Sequence, residues 1–204
     1  MKKWACFALV FCLCLALAGC GGASPADTDT ANLGEAPEPD HDLKVEDCYT
    51  FTENADGTYS YEVAWRGGGI LYAEQRIDRP VSFTAADEDL LIIEGQAGTG
   101  VGARWAMFCD IERGRTSDRY GGYLAAVGRR VAFVDLRTDA YHVFVCDPFE
   151  PNVHTQVVTL EGLVVDGDVI KDFAMSEESV LSVTYATADG SKTVEIDLLA
   201  DQSK

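Results

Sequence analysis

From residue 49 onward the chain is dominated by two-residue alternation of apolar and polar positions. Tyr59, Tyr61 and Val63 alternate with Thr58, Ser60 and Glu62, and Val194, Ile196 and Leu198 alternate with Thr193, Glu195 and Asp197. Successive side chains of an extended strand point to opposite faces, so this pattern predicts strands buried on one side. Leu90-Leu91-Ile92-Ile93 and Val131-Ala132-Phe133-Val134 are apolar at every position, which predicts interior strands covered on both faces. Turn residues separate these runs at Asn54-Ala55-Asp56-Gly57, Asp166-Gly167 and Ala188-Asp189-Gly190, where glycine accepts a positive φ at little cost. No window holds an apolar stripe of helical period with caps. Met175 to Val180 comes nearest, and it is too short and runs into a strand pattern. The expectation is an all-β, antiparallel body.

Three stretches of that body share a layout. Phe83, Leu124 and Phe173 are each followed seven positions later by the start of a second strand, at Leu90, Val131 and Val180. Between them lie Asp87-Glu88-Asp89, Gly128-Arg129-Arg130 and Glu177-Glu178-Ser179. A third strand follows each: Trp105 to Ile111, Tyr141 to Asp147, and Thr193 to Leu199. The units start 41 and 49 residues apart, a spacing in the range of propeller blades. Tyr49 to Ile77 makes a fourth, divergent unit. The expected architecture is a set of propeller-like antiparallel meander repeats, with a β-sandwich as the alternative.

The first fifty residues have a different texture. Trp4 to Ala18 is an uncharged apolar run behind Met1-Lys2-Lys3, shorter than the roughly 20 residues a membrane-spanning helix needs and typical of a secretory signal peptide. It ends in Leu17-Ala18-Gly19-Cys20. These four residues resemble the lipobox of bacterial lipoproteins. The resemblance implies that the Cys20 thiol receives a diacylglyceryl group and that residues 1–19 are cleaved away. It covers only the leader; the body matches no family we recognise. Residues 20–47 are rich in Gly, Ala, Pro, Asp and Glu and bear no aromatic side chain. Such a segment cannot bury enough apolar surface to offset its ordering entropy, and is expected to be a disordered acidic tether. Residues 48–199 form the β domain and residues 200–204 a disordered tail.

Charge narrows the partners. The formal charge is −18 and becomes −20 once Lys2 and Lys3 leave with the signal peptide. A surface this acidic repels phosphate backbones and anionic headgroups. Nucleic acid is therefore not an expected partner, and membrane attachment is expected through the lipid alone. Of seven cysteines, Cys6, Cys12 and Cys14 lie in the leader and Cys20 carries the anchor, leaving Cys48, Cys109 and Cys146. No CxxC pair suggests a metal knuckle. Cys109 and Cys146 sit in matching settings, Phe108-Cys109-Asp110 and Val145-Cys146-Asp147, and form a candidate disulfide in an oxidising compartment.

Candidate chemistry is sparse. Gly98-Thr99-Gly100-Val101-Gly102-Ala103 has the G-x-G-x-x-A spacing of a dinucleotide loop. That site needs a helix to begin there, and Arg104-Trp105-Ala106-Met107-Phe108 reads as a strand, so an inter-strand loop is expected. Seven of ten arginines lie between Arg104 and Arg137, against four acids. Arg104, Trp105, Arg113, Arg115, Arg119 and Tyr120 are the candidate ligand-binding residues, suited to a carboxylate, a sulfated glycan or an acidic partner through forked hydrogen bonds and stacking. Trp65, Gly67-Gly68-Gly69 and Tyr72 make a second aromatic and glycine-rich patch. His142 falls in a strand pattern and His154 in an expected loop. Neither a nucleophile elbow nor an HExxH motif occurs, and the acidic runs Asp87-Glu88-Asp89 and Asp166-Gly167-Asp168 lack EF-hand spacing. No catalytic residue, metal or cofactor is expected.

The expected function is a lipid-anchored lipoprotein on the extracytoplasmic face of the bacterial cell membrane, with a β domain that binds a protein or another envelope component. A receptor for a small anionic ligand or glycan is one alternative. A secreted hydrolase, with carboxylates converging in a cleft, is another.

Overall fold

The turns expected at Asn54–Gly57 and Ala188–Gly190 close as hairpins. At Asn54–Gly57 the Asn54 amide donates to Thr58 Oγ1 and Ser60 Oγ at 3.0 and 2.9 Å. The Asp56 carboxylate accepts from the backbone and hydroxyl of Thr58, and Gly57 takes φ +79°. This turn joins β1 (Tyr49–Glu53) to β2 (Tyr59–Ala64), and β3 (Ile70–Ile77) completes the first sheet. The computed structural model describes residues 42–135, 141–164 and 168–200. Cys20, the rest of residues 20–41, the Asp166-Gly167 turn and the tail beyond residue 200 lie outside them.

Three more sheets follow in chain order. The second holds β4 (Ser82–Asp87), β5 (Leu90–Gln96), β6 (Arg104–Asp110) and the short β7 (Arg115–Thr116), with β8 (Tyr120–Gly121) also paired to β6. The third holds β9 (Tyr123–Val127), β10 (Arg130–Asp135), β11 (His142–Cys146) and β12 (His154–Thr159). The fourth holds β13 (Ile170–Met175), β14 (Val180–Thr187) and β15 (Gly190–Asp197). Every strand pair among the described residues is antiparallel. The described residues thus form an all-β body of four antiparallel meander sheets, Tyr49 to Ile77 supplying the one read as a fourth unit. Gln96 ends β5, a single 3-10 turn spans Val101–Ala103, and Arg104 opens β6, so the glycine-rich segment is the expected inter-strand loop.

Alternation along the strands sets the packing. In the second sheet Leu91, Ile93, Met107 and Cys109 point toward Tyr61 and Val63 of the first sheet. Their neighbours Leu90, Ile92, Ala106 and Phe108 point the other way, toward Tyr123, Val131 and Cys146 of the third. The opposite face of the third sheet, with Ala132, Val134, Val143 and Val145, meets Leu181, Val183 and Ile196 of the fourth. This is why the first four residues of β5 are buried on both faces. Each such aliphatic side chain contributes about 1.5–3 kcal/mol by leaving water. Consecutive sheets therefore stack face to face, as the layers of a sandwich do.

Three expectations are corrected. The body starts before Cys48: Val45 is 2% exposed within the first apolar cluster, and the Leu43 carbonyl accepts from Arg66 Nε at 2.9 Å. His154 opens strand β12 and is not in a loop. Cys109 and Cys146 form no disulfide; both are free, buried thiols. The cause is again alternation, because Cys109 faces the first sheet and Cys146 packs on the opposite side of the second.

Candidate functional site

The six residues expected to bind a ligand separate into four settings. Arg119, just before β8, donates to Glu74 of β3 and, at 3.2 Å, to Tyr72 Oη. Its guanidinium lies 4.2 Å from the Trp105 ring centroid. Tyr61 Oη donates to the other oxygen of Glu74 at 2.7 Å. Burial raises the Glu74 pKa, but hydrogen bonds from Tyr61 and Arg119 outweigh it and hold the carboxyl below its ordinary value. Trp105 in turn lies against Gly95 so closely that a Cβ there would collide with the indole. Arg119 and Trp105 thus tie the first two sheets together, and Tyr72 of the second aromatic patch joins them.

Arg113 and Arg115 belong to a second cluster, with Arg129. Asp110, at the end of β6, is fully buried. Its Oδ2 accepts from Arg129 at 2.9 Å, Arg115 at 3.3 Å and Arg113 at 3.4 Å, and its Oδ1 accepts the Arg113 backbone N–H at 3.0 Å. Burial alone would raise this carboxyl, but Arg129 and the Arg113 backbone outweigh it and the pKa is lowered. Arg115 and Arg129 also lie over Phe149, 4.2 and 5.5 Å from its centroid. Three guanidiniums share one carboxylate here, which leaves the cluster positive.

Arg104 stands apart. Its guanidinium lies 4.6 Å from the Phe173 ring and 5.5 Å from the Tyr123 ring, and it lines a shallow depression with Pro80, Val81 and Glu94. Tyr120 is buried and donates to the Pro148 carbonyl at 2.8 Å. It serves packing more than ligand contact.

A concave feature lies between β8 and the third sheet. It is a cleft of about 500 Å³ lined by Gly102, Asp118 to Gly122, Phe133, Val134, Asp135, Phe144, Pro151, Asn152 and His154. Its position depends on Gly122. That residue donates its N–H to Arg104 of β6 at 2.8 Å and accepts from Val134 of β10 at 2.9 Å. It has φ +70°, and a Cβ there would strike the Val134 carbonyl. Only glycine lets the second sheet approach the third this closely.

One wall of the cleft is aromatic. Phe133 and Phe144 are directly paired across β10 and β11, with centroids 5.6 Å apart and planes inclined by 27°. Tyr120 lies 5.0 Å from Phe133, and His154 lies 4.4 Å from Phe144. Phe133 and Phe144 are half-buried. Asp118, Asn152 and His154 are exposed at the margin, and the polar ends of their side chains make no hydrogen bond among the described residues.

Of the six expected residues, Arg119 and Tyr120 line this cleft. Arg104, Trp105, Arg113 and Arg115 do not. Asp110, Arg129, Phe133, Phe144, Asn152 and His154 were not among the candidates. No group of His, Cys, Asp and Glu arranged to hold a metal occurs among the described residues. Asp89 of the acidic run is paired with Arg66.

No protein-family model matches the chain, and no curated protein is similar to it. Among solved structures, the computationally designed Ika4 protein is 16% identical over 73% of this chain and 86% of its own, with a TM-score of 0.33. A likeness that distant carries no argument about function.

Proposed function

We propose that this protein is a lipid-anchored extracytoplasmic lipoprotein whose β body uses the cleft between β8 and the third sheet to bind an envelope component. The anchor reading rests on Leu17-Ala18-Gly19-Cys20 at the end of the apolar leader. The binding reading rests on the cleft itself, which joins an aromatic wall to unengaged polar side chains at its margin. Apolar walls with a few convergent polar groups are the usual make-up of ligand sites. Two acyl chains on one sulfur hold a protein stably at a bilayer, since each buried CH₂ contributes about 0.8 kcal/mol. Intact mass spectrometry of the native protein tests the anchor. The expected product begins at Cys20 and carries diacylglyceryl mass, and Cys20→Ala shifts the protein from the membrane to the soluble fraction. An unmodified Cys20 in the native product refutes the anchor.

The Asp110 cluster favours a second reading, a receptor for a small anion. Arg113 and Arg115 have 63% and 43% of their side-chain surface exposed, and one carboxylate does not neutralise three guanidiniums. Stabilisation by sulfate or carboxylates, absent with chloride at equal ionic strength and lost in Arg113→Gln/Arg115→Gln, supports it. Equal response to all three salts refutes it.

A further inference from the structure

Resting on the proposal that the cleft is the binding surface, we infer that its ligand is a short neutral saccharide. Its volume of about 500 Å³ falls within the range of about 300–1,000 Å³ typical of small-molecule sites. The choice among ligand classes comes from the chemistry of the lining.

The apolar component is flat and aromatic rather than aliphatic. Phe133 and Phe144 are set side by side by the register of β10 and β11, and His154 extends the row beyond Phe144. A pyranose ring has one apolar C–H face, and an aromatic surface matches it through apolar burial and weak C–H contacts. Hydroxyls around the ring then need donors and acceptors at the edge of that surface. Asn152 offers both through one amide, His154 offers a ring N–H and a lone pair, and Asp118 offers two acceptor oxygens. None of these three side chains makes a hydrogen bond among the described residues.

Charge excludes the acidic version of the same ligand. The carboxylate of the lining whose oxygens make no hydrogen bond, Asp118, is accompanied by one guanidinium among the described residues, that of Arg119. That guanidinium is bound to Glu74 and Tyr72, so its charge is already offset by a carboxylate. A uronate, sulfate or phosphate placed here would meet Asp118 with no unpaired cation among the described lining residues. Among the described residues the cationic surplus lies instead at Asp110, a separate cluster.

Saturation-transfer NMR on the full-length protein, purified without glycoside detergents, tests this. The probes are neutral oligomers of glucose and of N-acetylglucosamine, oligomers of glucuronate, sulfated disaccharides, and a mixture of short peptides. The expected result is transfer to the C–H protons of at least one neutral oligomer and none to the acidic ones. Phe144→Leu and Asn152→Ala should each weaken that binding by roughly three- to tenfold, the range of one lost contact. Asn152 is exposed, so its variant tests the site even where Phe144→Leu unsettles the sheet. Binding of acidic saccharides or peptides only, or neutral binding unaltered by Asn152→Ala, overturns the inference. So does the absence of transfer from any saccharide. The anchor is decided independently by the mass of residue 20.

Discussion

Replacing Asp110 isolates the largest electrostatic commitment in the body. Its side chain is 0% exposed and accepts from three guanidiniums and one backbone N–H. Breaking a buried ion pair from one side costs about 3–5 kcal/mol when the remaining charge is stranded. Here the stranding is partial. Arg113 and Arg115 swing into water, while Arg129 is only 30% exposed and its Nη1 is buried without a partner. We therefore expect Asp110→Ala to lose about 3 kcal/mol and Asp110→Asn, which keeps an acceptor for the Arg113 N–H, about 2 kcal/mol. At about 2–4 °C per kcal/mol for a body of this size, the Ala variant should melt roughly 6–12 °C below the parent.

The pH dependence has a definite sign. The folded pKa of Asp110 is depressed, so its contribution is present above the unfolded value of about 3.9 and is lost as pH falls through the folded value. The Asn penalty should be constant from pH 7 to pH 5 and shrink below about pH 4. Urea melts of both variants and the parent at pH 7, 5 and 3 measure this. A penalty under about 0.5 kcal/mol at pH 7, or one that grows on acidification, would refute the reasoning.

Three further outcomes follow from local geometry. Gly122→Ala should lose about 3 kcal/mol or fail to fold, from positive φ and collision with the Val134 carbonyl, whereas Gly121→Ala, with open space at its Cβ, should melt within a few degrees of the parent; comparable losses in the two would discount the close approach. Gln156 is buried and donates from Nε2 to the Asp197 and Ala200 carbonyls at 2.5 and 2.9 Å, so Gln156→Leu should cost about 2 kcal/mol and speed proteolysis after β15, detectable by limited digestion. Burial pushes the Cys109 thiol up to about 12, and Cys48, Cys109 and Cys146 are all buried; thiol reagents should label them only in denaturant, and rapid native labelling of Cys109 would contradict its position.

Much of the fold was legible because strands report themselves locally. Alternation at Tyr59–Val63, unbroken apolarity at Leu90–Ile93 and the turn at Asn54–Gly57 each depend on neighbours a few positions away. The seven-residue offsets from Phe83, Leu124 and Phe173 located the hairpins of three sheets for the same reason. The site was less legible, because its contacts depend on which faces meet. Arg119 finds Glu74 across 45 positions of sequence, and nothing near either residue announces the other. Phe133 sat in a run that is apolar throughout, so its half-exposed setting was invisible until β10 was paired with β11. His154 reads as a loop residue because Pro151 and Asn152 mask the start of β12. Asp110 carries one local signal, that of an acid ending an apolar strand among arginines.

Each sheet is drawn from one unbroken stretch of sequence, and this bears on the order of events during folding. Among the described residues no strand waits for a hydrogen-bonding partner encoded far downstream, so each hairpin can close as soon as it has emerged. Burial lags behind pairing, however. The Leu90, Ile92 and Phe108 side chains stay wet after their own sheet has formed, until residues 123–146 arrive to cover them. That interval is when an unfinished molecule is most prone to stick to another, and chaperones that recognise exposed aliphatic strands would act there.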